Sequence, residues 1–80
     1  MGHRELRDAF NLAAAPHATC SQAYHRYDRD ADGKEVQKIE FNGTYADGTA
    51  FSIISTVPPK GLLELAARDT AQTLLKERPI

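Results

Sequence analysis

Eighty residues, a net charge of −1 and a single cysteine bound the chain to one small domain over residues 1–80 with no internal disulfide. Ten basic against eleven acidic residues argue against a protein that works by wrapping phosphates, which is usually basic. No apolar run is long enough to cross a bilayer. The charged start MGHRELRDAF lacks the apolar centre of a signal peptide, and Leu6 stands where a myristoylation motif needs Ser or Thr. With its lone cysteine suited to a reducing compartment, the chain is expected to be cytoplasmic and free of membrane contact.

Arg4 to Ala15 reads as a short helix, because Leu6, Ala9, Phe10 and Ala13 recur at helical spacing with Arg7, Asp8 and Asn11 on the other side. Pro16 stops it, and HATCSQ follows as a linker. From Ser21 to Val57 the pattern becomes that of strands, with the tripeptide Ala-Asp-Gly occurring as Ala31–Gly33 and again as Ala46–Gly48. Glycine reaches positive φ without a Cβ penalty, so each tripeptide suits a three-residue hairpin loop.

The two turns can be checked against each other. The first sets Arg29 opposite Glu35, His25 opposite Ile39 and Ala23 opposite Phe41. The second sets Phe41 opposite Ile53 and Gly43 opposite Phe51. Both therefore put Ile39 and Phe41 on one face, and a one-residue slip in either would break that agreement. The predicted inner face is Ala23, His25, Tyr27, Ile39, Phe41, Tyr45, Phe51, Ile53 and Val57, with Tyr27 and Tyr45 capping the core edge. VPPKG ends the third strand. Leu62 to Arg78 forms a second helix that buries Leu63, Ala66, Ala67, Thr70, Ala71 and Leu74, pairs Glu64 with Arg68 on its exposed side, and closes at Pro79. The expected fold class is α+β, in the order α-β-β-β-α: a three-stranded antiparallel meander with both helices packed on one face.

Asp28, Asp30, Asp32 and Gly33 match the first half of a calcium-binding loop. The bidentate glutamate of such a loop belongs at its twelfth position, where this chain has Ile39, and the flanks read as strands. The repeated Ala-Asp-Gly accounts for Asp32 and Gly33 without an ion, so no metal is expected. His17, Cys20 and His25 are of metal-ligating type but lack a paired spacing and a fourth ligand. Cys20 beside His17 has neither an orienting third group nor an oxyanion site. The isolated glycines form no phosphate loop. The chain is therefore expected to be no enzyme and to carry no cofactor.

The outer sheet face should show the rows Tyr24–Glu40–Ile54, Arg26–Lys38–Thr56 and Gln22–Asn42–Ser52, with Val36 and Asp28 at one end. Most of this is ordinary dressing for a solvated face. Tyr24 and Ile54, flanked by Arg26 and Lys38, depart from it, and Tyr and Arg are enriched at binding hot spots. The candidate partner-binding residues are Tyr24, Arg26, Lys38, Glu40 and Ile54, with the acidic groups Asp28, Asp30 and Asp32. Leu12, Leu62 and Leu65 fall off the buried stripes of their helices, which leaves room for a homodimer.

The order helix, three-strand meander, helix resembles the double-stranded-RNA-binding domain, and the alanine-rich LELAARDTAQTLL is similar to that family's second helix. The resemblance implies nucleic-acid binding through Lys60, Arg26 and Lys38. Where that family opens its second helix with a lysine cluster, VPPKGLLE supplies Lys60 alone; where its first strand loop carries a histidine, RDADGK is acidic. By size and type the chain also resembles the small inhibitors encoded by phages and mobile elements, anti-CRISPR proteins among them. The leading expectation is a non-enzymatic module that binds a protein partner, itself part of a nucleic-acid-handling complex, and blocks it sterically and electrostatically. Direct nucleic-acid binding is the alternative.

Overall fold

A computed structural model describes residues 3–57 and 62–77; Lys60, Gly61, Arg78 and Pro79 lie outside them. The order is α1 (His3–Ala14), β1 (Ala18–Arg29), β2 (Glu35–Tyr45), β3 (Ala50–Thr56) and α2 (Leu63–Glu77). The strands form one antiparallel sheet in the order β1-β2-β3, and both helices lie on one side of it, giving the expected α+β architecture.

The two tight turns set the register as the repeated tripeptide implies. Gly33 and Gly48 have φ of 80° and 89°, and the surrounding bonds are the same in both loops. The amide of Asp30 donates to the carbonyl of Lys34 at 2.9 Å and that of Gly33 to Asp30 at 3.0 Å. Tyr45 donates to Thr49 at 2.8 Å and Gly48 to Tyr45 at 2.9 Å. Ala23 faces Phe41, His25 faces Ile39, Phe41 faces Ile53 and Gly43 faces Phe51.

The core is aromatic at its centre. Phe10 of α1 stacks on Phe41 at 4.8 Å between ring centroids and on Phe51 at 5.7 Å, and Tyr45 tilts against Phe51 at 5.3 Å. Leu6, Ile39, Ala67, Ala71 and Leu74 close around them. On α2 the buried side is Ala67, Thr70, Ala71 and Leu74, and the Thr70 hydroxyl is satisfied by donating to the Ala66 carbonyl at 2.7 Å. Leu12, Leu62 and Leu65 are exposed, as their off-stripe positions require.

Four expectations are corrected. HATCSQ is no linker: β1 begins at Ala18, and a bulge at Ser21 lets Ala18, Cys20 and Ala23 all face the core. The bulge adds one residue against β2, which shifts the alternation of side chains and is invisible to a strict two-residue period. Tyr27 does not cap the core. It is 61% exposed, because β3 ends at Thr56 opposite Lys38 and the β1–β2 ribbon runs on past it. Asn11 is not a solvated helix residue. Its side-chain oxygen accepts from the Cys20 amide at 2.6 Å and its nitrogen donates to the Cys20 carbonyl at 3.1 Å, holding the peptide beside the bulge. Finally, Glu64 and Arg68 form no ion pair within the described residues.

Gly43 pairs with Cys20 beside the bulge of β1. A Cβ there would overlap the Thr19 carbonyl oxygen and lie 2.8 Å from the Cys20 Cα. The glycine is needed for this approach of backbone to backbone.

Candidate functional site

The helices cover one face of the sheet and leave the other open, and six of the predicted partner-binding residues meet there. Tyr24, Arg26 and Asp28 come from alternate positions of β1, Lys38 and Glu40 from β2, and the ladder sets Tyr24 against Glu40, Arg26 against Lys38 and Glu40 against Ile54. Period-two alternation sends all of them outward.

Glu40 is the hub. One carboxylate oxygen accepts from the Tyr24 hydroxyl and, at 2.9 Å, from the Asn42 side-chain amide; the other accepts from Arg26 Nη1 at 2.7 Å. Its side chain is only 12% exposed, so these donors replace the water it gives up. The Tyr24 hydroxyl, then the Asn42 amide and Arg26, hold its carboxyl below the usual carboxylate range. The bond to Glu40 conversely pushes the Tyr24 phenol up. Arg26 also donates from Nε to Asp28 at 3.0 Å, and Lys38 Nζ lies 3.9 Å from the same carboxylate. The result is a continuous chain of charge-assisted contacts from Asn42 to Lys38 that fixes the rotamers of Tyr24 and Arg26. Ile54, 45% exposed, adds an apolar patch directly beside Glu40.

The other acidic candidates are placed elsewhere. Asp30 is committed to the first turn, where one oxygen accepts from the amides of Asp32 and Lys34 at 2.9 Å each. Asp32 is exposed at the tip of that loop. Asp28 is engaged by Arg26 and Lys38, so the three aspartates do not converge. Among the described residues, no three His, Cys, Asp or Glu side chains are grouped to hold a metal ion. His17 is exposed, whereas Cys20 is 1% exposed. Burial pushes the Cys20 thiol up, and its Sγ donates to the Gln22 carbonyl at 3.1 Å.

Asn42 is the member of the network that sequence reasoning did not single out. The available signal was its place two residues from Glu40 on the same face of β2. An apolar groove of about 460 Å³ between β3 and α2, lined by Ile53, Ile54, Leu62, Leu65 and Asp69 among others, was likewise not foreseen as a cavity, although its two leucines were. Among the described residues no helix is long and apolar enough to cross a membrane. Comparison with family models, with curated proteins and with solved structures gives no match to this chain.

Proposed function

We propose that this chain is a small non-enzymatic protein-binding module whose open sheet face docks on a partner. In this reading it is an inhibitor of the kind encoded by phages and mobile elements, blocking a nucleic-acid-handling protein. The observation that carries the docking surface is the fixing of Tyr24 and Arg26 by the nearly buried Glu40, beside the exposed Ile54, on a face no helix covers. Side chains already held in one rotamer lose less entropy when a partner closes on them. Tyrosine and arginine are the types that most often dominate binding energy. The acidic tip, with Asp32 and Glu35 exposed, supplies charge that a basic groove would attract. The inhibitory role and the class of partner rest on size, charge and type alone.

Nucleic-acid binding ranks second because Arg26 and Lys38, two of the three cations it would use, already face Asp28 and Glu40; Lys60 lies outside the described residues. The test compares the wild type with Tyr24→Ala and Ile54→Ala, and with Leu12→Ala on the helix side as control. Each is assayed for capture of proteins that handle DNA or RNA and for gel retardation of duplex RNA. The proposal expects captured protein that is lost with the two sheet variants and kept with Leu12→Ala, and no retardation at moderate salt. Capture indifferent to Tyr24 and Ile54, or RNA retardation that weakens steeply with salt, would overturn it.

A further inference from the structure

The two edges of the sheet are unequal. β1 carries a bulge at Ser21 and the charged residues Arg26, Asp28 and Arg29, devices that discourage a further strand from joining. β3 reads Ala-Phe-Ser-Ile-Ile-Ser-Thr, with no charge, no proline and no bulge. Among the described residues nothing pairs with its outer side.

The ladder shows which groups are open. Tyr45 bonds Thr49 at one end of the β2–β3 pair, and the amide of Val57 donates to the Gln37 carbonyl at 3.3 Å at the other. Antiparallel pairs alternate between bonded and non-bonded, so the odd-numbered residues of β3 bond β2. Ala50, Ser52, Ile54 and Thr56 then turn their amides and carbonyls outward. Beside this row runs the groove between β3 and α2, with Leu62 and Leu65 43% and 49% exposed on its helix side.

We infer that the open edge of β3 pairs antiparallel with β3 of a second copy of this chain, joining two sheets into one of six strands. The strand is complementary to itself. A two-fold axis at Ile53 sets Ser52 against Ile54 of the copy and Ala50 against Thr56, so all four outward residues find bonding partners. Ile53 meets its own copy on the inner face. No like charges meet along the strand, the condition that most often forbids self-pairing at an edge. The copy also brings a second Ile53 to the groove, whose strand and helix walls are largely apolar. Among the described residues of its lining, Asp69 is the one charged side chain and stands on the helix wall. This pairing uses the backbone edge of the sheet and leaves the Tyr24–Glu40 face open; Ile54 belongs to both surfaces, and Tyr24 and Ser52 tell them apart.

Sedimentation equilibrium of the full chain from about 1 μM to about 1 mM, a range that brackets ordinary weak dimers, tests the inference together with amide exchange at both ends of that range. The expected result is a monomer–dimer equilibrium in which the amides of Ala50, Ser52, Ile54 and Thr56 gain protection as concentration rises. Ser52→Pro removes one outward N–H without touching the bonds to β2, as edge strands tolerate, and Ile54→Lys sets a charge on the edge strand. Both should leave a folded monomer, with folding checked by circular dichroism, while Tyr24→Ala stays dimeric. A wild type that is monomeric at the highest concentration overturns the inference. So does a dimer whose β3 amides exchange as fast as in the monomer, or one that survives both edge variants.

Discussion

Replacing Gly43 with alanine should be far more damaging than replacing either turn glycine, and the structure says why. The added Cβ would overlap the Thr19 carbonyl oxygen and sit 2.8 Å from the Cys20 Cα. Both obstacles are backbone, and that backbone is held by the β1–β2 ladder and by the two hydrogen bonds from Asn11. No flexible side chain can swing aside. Overpacking ordinarily costs about 1–3 kcal/mol, and backbone against backbone places Gly43→Ala at about 3 kcal/mol or more. A domain of this length holds roughly 4–12 kcal/mol in total. The midpoint of thermal unfolding should therefore fall by about 12 °C or more. Gly33 and Gly48 differ: an added Cβ meets nothing within 4 Å at either. Their alanine variants carry only the conformational penalty of positive φ, about 1–2 kcal/mol. Urea unfolding followed by circular dichroism, with slopes compared to confirm an unchanged denatured state, measures all three. A Gly43→Ala loss no larger than that of Gly48→Ala would refute the reasoning, since it would mean that the bulged strand moves aside freely.

Three further outcomes follow from the same contacts. Asn11→Ala strips the Cys20 peptide of both its donor and its acceptor and should cost about 2 kcal/mol; a change in the urea midpoint worth under about 0.5 kcal/mol would show that solvent replaces the clamp. The carboxyl of Glu40 is depressed in the fold, so its contribution to stability is complete above about pH 5 and is lost as pH falls through the lowered value. Urea midpoints measured between pH 7 and pH 2 should accordingly fall more steeply for the wild type than for Glu40→Gln, and parallel profiles would remove the network from the account of acid stability. The buried Cys20 thiol, raised by desolvation and bonded to Gln22, should react with a disulfide reagent only as fast as the chain opens; rapid labelling of the native protein would contradict its burial.

Much of the architecture was legible because two identical turns bracket β2. Each fixes one side of the ladder, and their agreement on Ile39 and Phe41 determined the inward face. The rows Tyr24–Glu40–Ile54 and Arg26–Lys38–Thr56 follow from that register and stand in the structure. The links across the rows were not legible. Arg26 reaches diagonally to Glu40 and along its own strand to Asp28, choices that depend on rotamers. The start of β1 escaped because the bulge at Ser21 interrupts the alternation on which strand reading relies. Tyr27 was placed inward by correct parity, yet parity does not tell how far β3 extends over the ribbon. Asn11 went unrecognised for a related reason: its partner is a backbone group exposed only by that bulge.

The packing of α1 against α2 carries a consequence for how the molecule comes into being. Leu6 and Phe10 near the start of the chain share their cluster with Ala67, Ala71 and Leu74 near its end. A nascent polypeptide that has already made both hairpins thus still lacks the cover that Ala67, Ala71 and Leu74 give this cluster until α2 has been made. Synthesis passes through an interval in which the half-made chain offers sticky surface to its neighbours, and the arrival of α2 ends it.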